Sequence, residues 1–508
     1  MYKYQMNNTI INNYHKKAVD CVNTNDYENA IKYYEQILEL IQIPNNKIKY
    51  LSELADVYKK QNKYKEALSK CYLQLHTITP NDYIILNEIG TCYFNLQNYK
   101  MAVKFFNKIL ESIDIPDVHN NIGNSYVRLK EYDTAKTHFI HSNKTNNNYI
   151  SNSALGELYY YEKNYAKSIH YYNNIKKGDC PNNTVNSKLY NSSFPYLASG
   201  NFKKGFKLYE NRLAANNINI QTGLKDRVDI PYLPYWNGID KCNRLLVVYE
   251  QGIGDNIQFF RFVFELSKKY KNLKIDYFGK DVVNRLFVET ENIKCINNVE
   301  FFDNDKNMIY DHYAYIMSLP YLLNVTTISP NTIQYIKTYP EKTVYWKTKL
   351  DTLKKYKVGF VYNGLLSSFI EKNIPLPSFE TLCDLDIDLI CIHKKSEIEN
   401  DLNTCSFSNK IHTYDLDTDV PFEDTIHLLQ NIDLLITIDT SIVHLAGILG
   451  IKTWLLLGYS EWRWSNVENK TYWYDSVELI RTNKDERELK NIIPRVKSKL
   501  YNLLQTSA

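Results

Sequence analysis

The sequence predicts a multidomain chain: an all-α repeat solenoid followed by two doubly wound, Rossmann-like α/β domains facing a cleft. Three observations carry this expectation. A pattern of small and aromatic residues returns every 33 to 37 positions through the first two hundred residues. Beyond about residue 241, apolar runs of strand length alternate with amphipathic runs of helix length, as parallel sheets require. Near residue 440 an apolar stretch is cut by a polar turn of the kind that ends a strand and starts a helix. At 508 residues the chain is too long for one core, which rarely grows past about 250–300 residues.

In the first half, a small residue is followed by an aromatic, then by an aromatic just before Ala, then by another aromatic. Gly90, Tyr93, Tyr99, Ala102 and Phe106 fit this pattern, as do Gly123, Tyr126, Tyr132, Ala135 and Phe139. Ser168 replaces Ala in the copy that starts at Gly156, and further copies start at Ala18, Ala55 and Ser193. The pattern resembles the tetratricopeptide repeat, and the resemblance covers residues 10–215 with about six repeats. It implies antiparallel helix pairs that approach closely at the small residues, with the aromatics filling the space between pairs. Such a solenoid offers a concave surface for a protein or peptide partner and carries no chemistry of its own. His76, His119, His138 and His141 read as surface or groove residues spread over different repeats.

Residues 216–240 break both periodicities with Asn, Pro and Gly and read as a connector. Its aromatics Tyr232, Tyr235 and Trp236 suggest a strap packed onto the domain that follows. The first α/β domain is expected at 241–340, the second at 341–482, and a C-terminal helix at 483–508. Arg244–Tyr249 and Leu273–Phe278 read as strands of the first. Val358–Tyr362, Leu389–His393, the run before Asp439 and Thr453–Leu457 read as strands of the second. Between the first strand and its helix lies Gln251-Gly-Ile-Gly-Asp-Asn256. With Ile257 where a third glycine would stand, Gly252 and Gly254 do not make a dinucleotide fingerprint. Asp255 sits where a carboxylate either caps the helix or acts as general base towards an acceptor hydroxyl.

The stretch from Leu434 to Gly450 reads as a buried strand, an Asp439-Thr440-Ser441 turn and a mostly buried helix closed by Gly450. The turn lies at the carboxyl end of its strand, where open α/β sheets bind ligands. Any of the three turn residues can cap the helix, and His444 reaches the same spot one turn in. A phosphate or diphosphate suits the helix start. The same residues also fit a capped core helix with a hydrogen-bonded histidine.

Taken in order, the segments FKKGFKLYENR (202–212), YEQGIGDNIQFFRF (249–262), SLPYLL (318–323), VGFVYNG (358–364), PFEDTIHLL (421–429) and ITIDTSIVHLAGILG (436–450) resemble GT-B glycosyltransferases of the heptosyltransferase (family 9) type. So does the aromatic stretch at 455–481, with Trp462, Arg463, Trp464, Trp473 and Tyr474. The resemblance implies a GT-B fold with Asp255 as catalytic base. It places Asp439, Thr440, Ser441 and His444 around the donor diphosphate and sugar, with Gly364 and Lys372 nearby and Gln251, Gly252 and Gly254 forming the first-domain loop. Arg463 either meets a phosphate or packs a domain edge with the tryptophans. The chain departs from the family at 365–373, where a His and an Asn-Asp-Arg run are missing and Lys372 stands near the last expected arginine. Two readings follow. One is a glycosyltransferase using a nucleotide-sugar, with repeats that recruit the acceptor or a partner. The other is a repeat scaffold whose transferase-like half is catalytically silent.

Bulk properties narrow the field. A net charge of +4 gives no reason to expect nucleic acid. Nine cysteines without a C-x-x-C pair argue against a disulfide framework or structural zinc and for a reducing, cytoplasmic setting. Asp439, His444 and Lys452 interrupt the longest apolar stretch, so no membrane span is expected. No cofactor and no metal is expected. Asp384, Asp386 and Asp388, with Asp415, Asp417 and Asp419, read as solvated turn residues.

Overall fold

The computed structural model describes residues 2–145, 148–175, 178, 180–214, 233–330, 334–364, 372–458, 461–464, 469–483 and 488–507. The chain divides into two compact units: residues 1–158 with 170–180, and residues 159–169 with 181–508.

Helical hairpins run through the first two hundred residues, with the periodicity read from the sequence. The first helix of each pair ends at a left-handed residue: Asn25, Asn62, Gln97, Lys130, Lys163 and Gly200 all have φ between +59° and +82°. At each one, the amide of that residue and of the next turn back onto the helix they leave, as at Gln97 N to the Phe94 carbonyl (3.0 Å) and Asn98 N to the Tyr93 carbonyl (2.9 Å). This double bond pattern satisfies carbonyls that a helix end otherwise strands. A polar residue then often caps the second helix, as Asp26, Asn98 and Asn201 do through their side chains. The Tyr or Phe of the motif is the first residue of that helix.

The small residues sit where the two helices of a pair touch. A Cβ built on Gly123 would lie 2.7 Å from the Phe139 ring, and one on Gly156 would lie 2.8 Å from the Tyr172 ring. Ala30, Ala55, Ala67, Ala102 and Ala135 are fully buried beside them. Folding each second helix back on the first corrects the reading of the histidines. His119 on Pro116–Arg128 faces His138 and His141 on Tyr132–Thr145, and the three rings cluster. His76 stands apart, edge-on to Phe105.

The α/β part holds two all-parallel sheets. The first contains β1 (Arg244–Val248), β2 (Lys274–Phe278), β3 (Ile293–Ile296) and β4 (His312–Tyr315) in the order β3-β2-β1-β4. The second contains β5 (Tyr356–Val361), β6 (Ile387–Cys391), β7 (Ile411–His412), β8 (Leu434–Ile438), β9 (Thr453–Leu457) and β10 (Val477–Arg481) in the order β10-β9-β8-β5-β6-β7. Helical segments lie between most successive strands, as crossovers of parallel pairs usually have, whereas residues 297–311 join β3 to β4 without a helix. The central strands are continuous buried runs, which is why the sequence marked them. The edge strands β3, β7 and β10 and the tyrosine-rich β4 lack such runs and went unmarked.

Leu233 and Trp236 are buried on the first domain, and Trp236 N donates to the Tyr313 carbonyl in β4 at 2.8 Å. The strap expectation therefore holds for Tyr235 and Trp236, whereas Tyr232 lies outside the described residues. Among the acidic residues read as solvated turns, Asp417 is a correction. It is buried, accepts from the Thr425 amide (3.1 Å) and hydroxyl (2.6 Å), and so fastens the start of the helix Glu423–Leu429. Asp388 is a second correction: it lies half-buried within β6 and accepts from the Lys355 amide at 2.9 Å, whereas Asp384, Asp386, Asp415 and Asp419 are exposed as expected. Among the described residues no helix is long and apolar enough to cross a membrane.

The glycine contacts give a stability prediction. Gly123→Val should lower the unfolding free energy of the repeats by about 1–3 kcal/mol through overpacking against Phe139. Urea denaturation followed by circular dichroism measures this, and an unchanged midpoint would contradict the close helix approach.

Candidate functional site

The loop after β1 is built from Glu250 to Asn256. Gln251 takes a left-handed conformation (φ +61°) and its side-chain amide donates to the Tyr209 hydroxyl at 3.0 Å. Asn256 clamps the loop from inside, donating to the Glu250 and Gly252 carbonyls and accepting from the Tyr277 hydroxyl. The Gly252 amide donates to Asp255 Oδ2 at 3.0 Å, so the carboxylate does cap the helix Ile253–Phe259. Beneath the loop, Glu250 and Arg212 form a fully buried two-pronged pair, Nε to Oε2 at 3.0 Å and Nη2 to Oε1 at 2.5 Å. Ser318, Glu210 and the Met317 amide complete their hydrogen bonding. The sequence reading did not single out this pair. Its only signal was the quoted segments that contain Arg212 and Glu250.

The second turn follows β8. Thr440 is the N-cap of the helix Ser441–Ile448, but its side chain makes no capping bond and its Oγ1 is buried without a partner. Asp439 is directed to Lys372 Nζ at 3.0 Å instead. The expectation that one of these side chains caps the helix is thus corrected for Thr440 and Asp439. Helix closure at Gly450 (φ +74°) is as expected, with Ile451 N bonded to the Ala446 carbonyl at 2.9 Å. Gly364 packs against Thr440, where a Cβ would approach its methyl to 2.9 Å, and the Gly364 amide donates to Asn373 Oδ1 at 2.9 Å. The departing segment at 365–373 lies outside the described residues except for Lys372 and Asn373.

The structure brings these two motifs, some 185 positions apart in sequence, into contact. Gly254 lies against the start of the second helix: a Cβ there would be 3.1 Å from the His444 ring and 3.5 Å from Ser441 Cα. His444 is buried, its Nδ1 3.0 Å from the Tyr474 hydroxyl and its ring stacked on Trp464 at 5.3 Å. Burial pushes the imidazole down to about 4, against the opposing pull of Asp439 and Asp255. It is therefore neutral at pH 7. Arg463 bridges Asp255 Oδ1 and Glu461, with Nη1 2.6 Å from Glu461 Oε1 and its amide donating to Glu461 Oε2 at 2.9 Å. Its guanidinium lies over Trp462 at 4.6 Å. So Arg463 meets a carboxylate of the other domain, and Glu461, which the sequence reading did not select, orients it. Burial raises the Glu461 carboxyl above its usual range.

The result is a cluster with two cations, Lys372 and Arg463, three carboxylates and a neutral histidine at the start of a helix. Cations and a helix start suit an anion. Asp255 faces the same place from the first domain. Next to Gly364 and Asn373 opens a cavity of about 410 Å³, lined by residues that include Tyr362, Asn363, Pro375, Asp401 and Leu489. Its size is that of a small-molecule site.

Comparison with known proteins gives the following. The tetratricopeptide repeat family matches residues 11–43 and 83–113, so the chain carries such repeats. The chain is 22% identical over 310 residues to Protein FlbA of Caulobacter vibrioides, an alignment covering 56% of this chain and 50% of that protein. It thus spans about half the length of the curated relative it matches. Among solved structures it is similar to a tetratricopeptide repeat protein from Parabacteroides merdae (TM-score 0.35, 17% identity, 41% of this chain and 80% of the other). It is also similar to a glycosyl transferase family 9 protein from Veillonella parvula (TM-score 0.39, 13% identity, 52% of this chain and 97% of the other).

Two predictions follow from the site's electrostatics. The folded state holds His444 at a depressed pKa, so its stability contribution is intact above about pH 6.5, the unfolded value, and is lost as pH falls towards 4. His444→Phe should therefore flatten the loss of α/β stability between those values by roughly 3 kcal/mol, seen in urea midpoints against pH. Arg212→Met should cost about 3–5 kcal/mol by leaving Glu250 buried and unpaired, measured as a lowered denaturation midpoint.

Proposed function

We propose that the α/β half is a glycosyltransferase that moves a sugar from a nucleotide-sugar to a hydroxyl acceptor, and that the repeats recruit the acceptor or a protein partner. One observation carries this reading: Asp255 and the Asp439–His444 turn, far apart in sequence, meet at the carboxyl ends of two parallel sheets. In this reading the donor diphosphate sits at the start of the helix Ser441–Ile448, between Lys372 and Arg463. The cavity beside Gly364 takes the nucleoside. The acceptor oxygen attacks the anomeric carbon while its proton passes to Asp255. The bond from that carbon to the diphosphate oxygen breaks, and the negative charge goes to the nucleoside diphosphate. Lys372, Arg463 and the helix start stabilise that charge in the role a metal ion plays elsewhere, so no metal or other cofactor is needed. His444, neutral and held by Tyr474, serves as a hydrogen-bonding group from its Nε2.

The bond between Arg463 and Asp255 sets the order of events. While Arg463 donates to Asp255 Oδ1, that oxygen is not open to the acceptor's proton. A bound diphosphate competes for the same guanidinium and so frees Asp255 Oδ1 for the acceptor. The donor would then bind first.

A second reading, a catalytically silent scaffold, is favoured by the occupancy of both Asp255 oxygens, one by Gly252 N and the other by Arg463. The two separate by experiment. Asp255→Asn should lower the turnover of a nucleotide-sugar by at least about a hundredfold, the usual worth of a general base, while donor affinity is kept or raised, since the variant loosens the hold on Arg463. Undiminished turnover would remove Asp255 from the chemistry. Absence of turnover and of thermal stabilisation by any nucleoside diphosphate would favour the scaffold.

A further inference from the structure

We propose that the repeat unit holds a zinc-type divalent cation at Asp114, His119 and His141. The observation is a convergence that the linear sequence hides. Asp114 lies in the turn after the helix Tyr99–Leu110, His119 sits on the helix Pro116–Arg128, and His141 sits on the helix Tyr132–Thr145. One carboxylate spans both imidazoles: Oδ1 is 3.0 Å from His119 Nε2 and Oδ2 is 2.9 Å from His141 Nε2. The potential donor atoms of the three residues all lie within 4.8 Å of one another. A tetrahedral ion with bonds of about 2.0–2.1 Å needs donors about 3.3 Å apart, close to the two carboxylate–imidazole separations.

The surroundings support a ligand role. Metal-bound histidines usually hand their second ring nitrogen to a hydrogen-bond partner. His119 Nδ1 has one, His138 Nδ1 at 2.9 Å, and His138 is itself stacked on Tyr126. The hydrogen-bond pattern assigns the protons. With His119 neutral and donating from Nε2 to Asp114, its Nδ1 accepts from His138. An ion at Nε2 moves that proton to Nδ1, which then donates to His138 Nδ1, whose own proton goes to Nε2. His141 makes the same shift from Nε2 to Nδ1. No proton need be released.

Two imidazoles and one carboxylate suit a borderline ion such as Zn²⁺ or Co²⁺ rather than Mg²⁺ or Ca²⁺, which prefer oxygen. Asp114 and His141 are exposed, so water can reach the remaining positions. The ion would tie an inter-repeat turn to both helices of one hairpin. Its role would be to stiffen the solenoid, apart from any sugar transfer.

The test uses the full chain, stripped with a chelator and titrated with Zn²⁺ by calorimetry and with Co²⁺ by visible absorption. Expected are a saturable site of one ion per chain, cobalt d–d bands, and a raised melting temperature of the repeats. Affinity should fall at least tenfold in the half-exposed His141→Gln, which should fold normally. In His138→Phe it should fall by about tenfold, within the range for removing such a supporting partner. Mg²⁺ should give no heat. The proposal is overturned by the absence of saturable binding at millimolar Zn²⁺, or by affinity and cobalt spectrum unchanged in Asp114→Asn/His119→Gln/His141→Gln, which would place the ion elsewhere, for instance on the cysteines.

Discussion

The buried pair of Arg212 and Glu250 is the interaction on which the candidate site depends. It joins the last helical hairpin, Asn182–Ala214, to the loop that leaves β1. Desolvating two charges is costly, and well-packed apolar residues of the same shape would serve stability as well or better. What the pair supplies is position. Glu250 is gripped from one side by Arg212 and from the other by the Met317 amide, so the backbone of residues 250–252 has little freedom. Tyr209, on the same hairpin, adds a contact to Gln251. The placement of Asp255 therefore follows from a residue in the helical part of the chain. An apolar pair could fill the volume but could not fix the loop through directional bonds.

A second constraint is the want of a side chain at Gly254. A Cβ there would lie 3.1 Å from the His444 ring, which would have to give by a few tenths of an ångström. Close approach of the two domains is what lets Arg463, carried by the second, reach Asp255 on the first. The cluster so formed has its cations already engaged: Lys372 with Asp439, Arg463 with Asp255 and Glu461. Under the proposed transferase reading, an incoming diphosphate would displace protein carboxylates rather than water, which lowers affinity but makes its arrival rearrange the groups around it.

The helical half follows a different logic. Each hairpin is closed by the same left-handed turn, and in those of Gly90, Gly123 and Gly156 an aromatic is pressed into the small residue, so similar units arise from local rules. The histidine cluster exists because that regular folding back sets position 119 against 138 and 141, a by-product of the scaffold that gathers three imidazoles on one hairpin.

The sequence by itself determined the repeat, since the small-aromatic spacing encodes the packing of Gly123 on Phe139 directly. It determined the central strands, whose burial on both faces writes continuous apolar runs, and the two turns at residues 251–256 and 439–444. It could not show the edge strands β3, β7 and β10, which carry no continuous apolar run, nor the turns at Asn62 or Lys130, where a non-glycine residue adopts a positive φ. Only the tertiary structure decided the partners. Arg463 with Asp255, Arg212 with Glu250, Asp417 with Thr425, and Asp114 with two histidines are all fixed by chain crossings that no local pattern specifies. A periodic motif records what one face of a helix or strand touches, while a charged group's partner depends on where the whole chain returns.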